Sequence, residues 1–367
     1  MPWYNDLRPQ SDEKVIANAL VFPSMSNLEK KRTLNNLLSL RKALDQEIAQ
    51  KVTDQNVIIA TWNLKEFGHL TKRLPETYFY IAEIISRFDL VAVQEIKSSM
   101  HDFEILMRLL GSHWAYLIAD ITEGTAGNSE RFAYIYDKRR IQPSGLAGEI
   151  VLWDDITRDS DLKQLKRTPY ITGFRAGWKN FAIINVHLQP KDDSTSKKKR
   201  KEEVRLLLKA ISHKIKDDRF WTDNLMVMGD TNVYSDDDDI LELFSAAEFK
   251  EVEDLQGKPT NVVQSEIYDR IFFHETEYFQ VNDVAVGETG NVFKFFDHVY
   301  REAEFASYKK LMKLHKDKPE TLVDNDAYRK YFKHYWRGNQ MSDHYPVWIQ
   351  LKIDSTDDFL TEKLGRF

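Results

Sequence analysis

Residues 56–63 read NVIIATWN, an apolar run that stops at polar Asn63. Residues 90–95, LVAVQE, have the same form and stop at Glu95. Short apolar runs closed by polar residues predict buried strands. Between them, Pro75 opens a helical pattern to Arg87, as proline does at a first helical position. Working outward, further strands are predicted at RFAYIY (131–136), EIVLW (149–153), YITGFR (170–175), FAIINVH (181–187), NLMVMGD (224–230), YDRIFF (268–273) and YPVWIQLKI (345–353). Few helical patterns lie between them. The expected fold class is α/β: a four-layer α/β sandwich with two packed mixed β-sheets and outer helices.

Upstream, Ser26 and Glu29 form a capping-box pattern. Leu34, Leu37, Leu38, Leu44 and Ile48 follow near helical spacing and predict a helix packed on the main body. The chain then divides into an N-terminal arm and helical extension (1–55), a main domain (56–353) and a C-terminal tail (354–367). Residues 293–340, rich in Lys, His, Tyr and Phe, look like a helical insertion before the last strand.

The 367 residues allow two domains of about 150, or one large sandwich. At 42% hydrophobic residues a wholly disordered chain is excluded. With 52 Lys and Arg against 58 Asp and Glu, binding to nucleic acid by global charge is unexpected, while a local basic groove stays open. The absence of cysteine excludes disulfides, thiol chemistry, zinc–thiolate sites and iron–sulfur clusters. No apolar run approaches the ~20 residues of a membrane span. The N-terminus has no basic-then-apolar signal pattern, so the cytoplasm is the default compartment, with secretion left open where a signal peptide has been removed. No protein partner is inferable.

Polar residues recur where the apolar runs end: Asn63, Glu95, His187, Asp230 with Asn232, Asp269, and Asp343 with His344. A strand interior wants apolar side chains, but its rim can hold polar ones without stranding them. Repetition at so many strand ends predicts one shared pocket. Oxygen donors, two histidines and no cysteine suit a hard cation: Mg²⁺, with Mn²⁺ as a substitute and Ca²⁺ as a further option. The chemistry that most needs this set is attack of water on phosphorus, with a histidine or aspartate handling the proton.

The stretches ATWNLKEFG, VAVQEIKSS, NSERFAYIY, RTPYI, NVHLQP, MGDTN, PTNVVQSEIYDRIFF and MSDHYPV resemble, in order, the motifs of the endonuclease/exonuclease/phosphatase superfamily, and most of all its pancreatic-type deoxyribonucleases. The resemblance spans about residues 56–353. It implies a metal-dependent phosphodiesterase acting on nucleic acid, foremost DNA, as a largely sequence-nonspecific endonuclease. By the same resemblance Glu95 is the main metal carboxylate, with Asn63 and Asp343 beside it. His187 is the catalytic histidine and Glu130 orients it. Asp230 aligns or deprotonates the water, and Asn232 contacts phosphate. His344 is the second histidine, with Asp269 in support, and Arg167 contacts phosphate.

Departures from the pancreatic pattern bear on substrate binding. Lys97 stands where an arginine reaches the minor groove, and keeps charge without the guanidinium fork. Asn128 stands where a tyrosine stacks on sugar. The cluster Lys197–Lys201 offers Lys198, Lys199 and Arg200 as alternative phosphate contacts, or else begins a solvated helix. Asp236–Asp239 read as an acidic helix start. Inositol phosphatases and sphingomyelinases share the core motifs, so a small-molecule or lipid phosphoesterase is the alternative.

Overall fold

The computed structural model describes residues 2–9, 11, 21–70, 72–122, 129–216, 222–280 and 288–367. Two six-stranded mixed sheets pack face to face. The first contains β1 (Asn56–Phe67), β2 (Leu90–Lys97), β3 (Trp114–Ile118), β4 (Glu130–Asp137), β11 (Gly290–Val292) and β12 (Val347–Lys352), in the order β11-β12-β1-β2-β4-β3. The second contains β5 (Gln142–Glu149), β6 (Tyr170–Ala176), β7 (Lys179–His187), β8 (Leu225–Asp230), β9 (Phe249–Glu251) and β10 (Asp269–His274), in the order β5-β6-β7-β8-β10-β9. Each sheet is antiparallel except for one central parallel pair, β1 with β2 and β7 with β8. A parallel pair needs a crossover. Helix α2 (Pro75–Ile85) supplies the first, and α4 (Ser194–Lys216) the second. Helix α1 (Asn27–Glu47) precedes them, α3 (His101–Leu110) follows β2, and α5 (Asp238–Ala246) follows β8.

Strand alternation builds the layers. Met226 and Met228 of β8 join the core between the sheets, whereas Leu225 and Val227 point outward to Val204 and Leu207 of α4. Phe244 of α5 stacks on Phe272 of β10, with ring centroids 3.9 Å apart. On the other flank α2 is buried almost all round because α1 covers its outer side. The ion pairs Arg32–Glu76 at 2.5 Å and Arg41–Glu83 at 2.6 Å fasten the two helices. The capping box is present: Glu29 N–H donates to Ser26 Oγ at 3.3 Å, and Ser26 N–H to Glu29 Oε2 at 2.8 Å.

Two local expectations change. On α1, Leu37, Leu40 and Leu44 are buried, but Leu34 and Leu38 are 40% and 69% exposed. The buried stripe runs through Thr33, Asn36 and Ala43 and leaves those two leucines outside it. The predicted strand at 149–153 ends at Glu149. Ile150 and Leu152 instead pack under α4, and Trp153 caps a helical turn, Asp154–Thr157. The basic cluster lies in the first turns of α4, as the helix-start alternative has it. Residues 293–340 are largely helical and share the first sheet's core. Phe295 packs on Trp62, and Tyr308 Oη donates to Glu76 at 2.8 Å.

Candidate active site

Strand register sets out the site. In the second sheet His187 pairs with Asp230 across β7 and β8, and Asp230 pairs with Asp269 across β8 and β10. Three polar residues therefore stand in a row on one rim. Gly229 makes the row possible: its φ is +141°, and a Cβ there would collide with the Val186 carbonyl. Only glycine lets β8 close on β7 one residue before Asp230.

The first sheet meets this rim with irregular strands. Regular pairing of β1 with β2 stops at Asn63–Gln94 and resumes at Phe67–Ile96. Within the break Lys65, Glu66 and Glu95 have φ of +42°, +46° and +62°. Non-glycine residues in this region cost of order 1–3 kcal/mol each and cluster at functional sites. The bulges re-aim Glu95 toward the second sheet. Ser129, just before Glu130, and Asn232 are also left-handed, at +52° and +48°.

One amide joins the two rows. Asn63 Nδ2 donates to Glu95 Oε1 and to Asp230 Oδ2, each at 2.9 Å. Glu66 N–H donates to Glu95 Oε2 at 2.8 Å. Two histidine–carboxylate pairs flank Asp230. On one side His187 Nε2 is 3.4 Å from Asp230 Oδ2, and His187 Nδ1 is 3.0 Å from Glu130 Oε2. On the other, His344 Nε2 is 3.8 Å from the same Asp230 oxygen, and its Nδ1 is 2.8 Å from Asp269 Oδ2. Thr260 Oγ1 donates to that Asp269 oxygen at 2.8 Å.

Charge follows from these contacts. Burial works to raise the Glu130 carboxyl, but His187 and Arg167 outweigh it and hold it well below the usual range. Burial likewise opposes a charged His344, yet Asp269 and Asp230 raise the imidazole well above its ordinary value. Arg167 Nε donates to Glu130 at 2.8 Å, and Lys97 Nζ lies 3.3 Å from it. Both expected phosphate contacts are thus buried against Glu130 at the edge of the site. Asn232 N–H donates to Asp230 Oδ1 at 3.2 Å, and its Nδ2 to the Leu188 carbonyl at 3.3 Å.

Among the described residues, ligand atoms of Glu95, His187 and Asp230 lie within 4.8 Å of one another. The donor set fits a divalent cation: two carboxylates converge on one point, bridged by an amide N–H where a positive charge would be favoured. Asn63 as oriented presents nitrogen there, since its Oδ1 accepts from Lys65 N–H at 2.9 Å. Presenting oxygen to a cation requires the amide to turn over. Asp343 is not drawn into this group, because Lys65 Nζ binds its Oδ2 at 2.9 Å. Burial would raise that carboxyl, but His344 and Lys65 lower it.

The basic run divides. Lys198 and Lys199 are exposed and border a cavity of about 1,100 Å³ beside Lys166 and Gln189, in company with Glu202 and Glu203. Arg200 is a correction: it is fully buried, with Nη2 on Asp237 Oδ2 at 2.5 Å and Nη1 on the Gln189 and Lys191 carbonyls. It faces the body of the protein and presents nothing to a phosphate. Asp237 belongs to the acidic start of α5 and is used the same way. Asn128 lies outside the described residues.

Lys65 and Ser342 were not singled out by sequence. Ser342 Oγ donates to the Asn63 carbonyl at 2.6 Å and accepts from His344 N–H at 3.0 Å, so it ties two site strands together. Its place inside MSDHYPV is the only signal that marks it. The bulge that brings out Lys65 has no signature in residue type.

No protein-family model and no curated protein matches the chain. Solved structures do. The human Nocturnin catalytic domain with bound sulfate is 13% identical over 84% of this chain and 98% of that one, with a TM-score of 0.50. An endonuclease/exonuclease/phosphatase family protein from Bacteroides thetaiotaomicron is 15% identical over 82% and 98%, also at 0.50. At these identities the likeness is one of architecture: the chain has the fold of the endonuclease/exonuclease/phosphatase proteins.

Proposed function

We propose that this protein is a divalent-metal-dependent phosphodiesterase that hydrolyses DNA, as a largely sequence-nonspecific endonuclease, by in-line attack of water on phosphorus. The observation that carries this reading is the meeting of two strand-end rows. Asn63 and Glu95 come from one sheet, His187, Asp230 and Asp269 from the other, with one amide bridging the carboxylates. The motif series supports the narrower kinship with pancreatic-type deoxyribonucleases. The sulfate held by the Nocturnin domain, an anion of phosphate's shape, is compatible with phosphate chemistry on this fold.

Glu95, with Asn63 turned to present oxygen, would hold the Mg²⁺ or Mn²⁺, which leaves Asp230 to the attacking water. A bound ion would neutralise phosphate oxygens and stabilise the leaving oxygen. Asp230 lies between both histidines, where it accepts a proton from the attacking water. His187 is fixed by Glu130, so its far nitrogen aims at the same point and donates to a phosphate oxygen. His344, kept charged by Asp269, adds a second donor. Asn232 contacts phosphate from the turn after β8. Lys97 and Arg167 offset the charge of Glu130, so this side of the site accepts an anion.

The test is a cleavage assay on supercoiled plasmid with Mg²⁺, Mn²⁺, Ca²⁺ or excess chelator, beside linear DNA, single strands, RNA, inositol phosphates and sphingomyelin. Nicking is expected only with metal, and Glu95→Gln is expected to lose at least about 10²-fold, in the range for removing a charge that stabilises the transition state. Full activity of Glu95→Gln, or cleavage in chelator, overturns the metal assignment. Hydrolysis confined to the small esters overturns DNA as substrate.

A further inference from the structure

Residues 293–340 carry eleven Lys or Arg against seven Asp or Glu, in a chain with 52 against 58. Positive charge is therefore concentrated in the segment that the motif series leaves out. Residues 305–340 fold against the loop between β1 and α2 and enclose with it a cavity of about 560 Å³. Its walls include His69, Lys72, Lys316, Lys318 and Tyr331. Asp317, the acidic residue among the described wall residues, is 97% exposed and lies 3.6 Å from Lys72. The larger cavity beside α4 is different: carboxylates outnumber lysines among its described walls, which disfavours a polyanion.

Aromatic surface adjoins this charge. Tyr335 is 62% exposed, although the segment buries Tyr308, Phe332 and Trp336. Its ring lies nearly parallel to that of Tyr331, at 24° and 6.4 Å between centroids. Lys316 Nζ sits 4.2 Å over the Tyr331 ring. The backbone passes here through a π-helical turn, Phe332–Trp336, a form frequent at functional sites. Trp336 Nε1 donates to His315 Nδ1 at 3.0 Å and stiffens the wall behind.

The cavity is wired to the site. Gln340 Nε2 donates to the Lys72 carbonyl at 3.1 Å, and Arg73 Nε to the Gln340 carbonyl at 3.1 Å. The same guanidinium donates to the Leu64 and Lys65 carbonyls at 2.8 and 2.7 Å, inside the bulge next to Asn63. The wall of the cavity is therefore anchored directly to the bulge that carries Lys65 and Glu66.

We propose that this cavity and the Tyr331–Tyr335 surface bind single-stranded nucleic acid running away from the active site. Lys72, Lys316 and Lys318 contact the phosphates, and a base stacks on Tyr335. Lysines beside exposed aromatics recognise a strand whose base faces are free, which a duplex hides. The inference rests on reading the rim as a nucleic-acid phosphodiesterase, and it adds to that reading a separate contact for an unpaired strand beside the cut.

The test is fluorescence anisotropy of a labelled oligo-dT and of a blunt duplex, in chelator, across a salt series. Tyr335→Leu is expected to weaken oligo-dT about tenfold and leave the duplex unchanged. Lys316→Ala/Lys318→Ala is expected to weaken oligo-dT and flatten its salt slope by about 0.7 for each phosphate no longer neutralised. Lys42→Ala/Lys138→Ala removes the same charge from exposed positions elsewhere and is expected to change neither. Wild-type affinity in the first two variants, or an equal loss in the third, overturns the site. Loss in the lysine variant without loss in Tyr335→Leu overturns stacking and leaves only an anion site. The assay needs no turnover, so a wild type that hydrolyses nothing sinks the phosphodiesterase reading and leaves this result to stand or fall separately.

Discussion

Glu130 serves three partners with two oxygens: His187, Arg167 and Lys97. A carboxylate so surrounded stays charged, and a charged carboxylate on Nδ1 fixes the tautomer and ring orientation of His187. If that is its role, the two residues act as one. His187→Ala is expected to lower kcat by about 10²–10⁴, the range for positioned proton transfer. Glu130→Gln is expected to cost less, because the hydrogen bond survives while its charge does not. A double-mutant cycle on kcat, with folding followed by circular dichroism, measures their coupling. Losses that simply add would separate Glu130 from His187 and leave it as an anchor for Arg167 alone.

At the scale of elements, helix α4 shows how far a sequence can be read. KKKRKEE reads as one charged block, but a helix divides it. Arg200 shares a face with Ser196, Val204, Leu207 and Ile211, and Lys198 and Lys199 do not. Once the helix is known to begin at Ser194, the spacing places Arg200 inward, so that signal was present but depended on a boundary. Its partner across α5 was not readable, since only the packing of two helices brings Asp237 to it. The same holds elsewhere. Strand-end polarity announced Asn63, Glu95, His187 and Asp230, because burial writes itself into local pattern. The left-handed turns at Lys65, Glu66 and Glu95 left no trace, because none of them is glycine. The Arg200–Asp237 pair gives a test of stability. Arg200→Met leaves Asp237 with Lys197, 2.8 Å away, and the Tyr234 N–H, and is expected to destabilise by about 3 kcal/mol in urea unfolding. Burial tends to raise Asp237, but Lys197 and Arg200 prevail and lower it. A lowered carboxyl stabilises the fold fully above its unfolded pKa, and this is lost as pH falls through the lower folded value. Asp237→Asn is therefore expected to flatten the acid limb of the stability profile. An unchanged limb would show that the pair carries no pH dependence.

For the whole molecule, the consequence of this architecture is that no single sheet owns the site. Asn63, Glu95 and Glu130 ride on one, and His187, Asp230 and Asp269 on the other, so the distance between sheets is the distance between the halves of the chemistry. Below the rim a polar pair joins the sheets, beside Tyr134 Oη, which donates across to the Tyr170 and Ile183 carbonyls at 2.7 Å. Gln94 Nε2 donates to Asn185 Oδ1 at 2.6 Å and to Thr61 Oγ1 at 3.0 Å, and Asn185 Nδ2 donates to the Val93 carbonyl at 3.2 Å. Both side chains are fully buried. Apolar replacements fill the space but hold no register, whereas a hydrogen bond between sheets does. Asn185→Leu takes one acceptor from the Gln94 amide, which keeps Thr61 Oγ1, and takes the donor from the Val93 carbonyl, and is expected to cost about 1–3 kcal/mol. Gln94→Leu/Asn185→Leu removes both polar groups and is expected to recover much of that loss. Turnover separates the two effects. If the pair sets the spacing of the site, the double variant stays slow after its stability has returned, with kcat lowered more than KM is raised. Were turnover to recover along with stability, the pair would be ordinary core polarity, and the spacing of the two rows would be set by other contacts between the sheets, such as Tyr134.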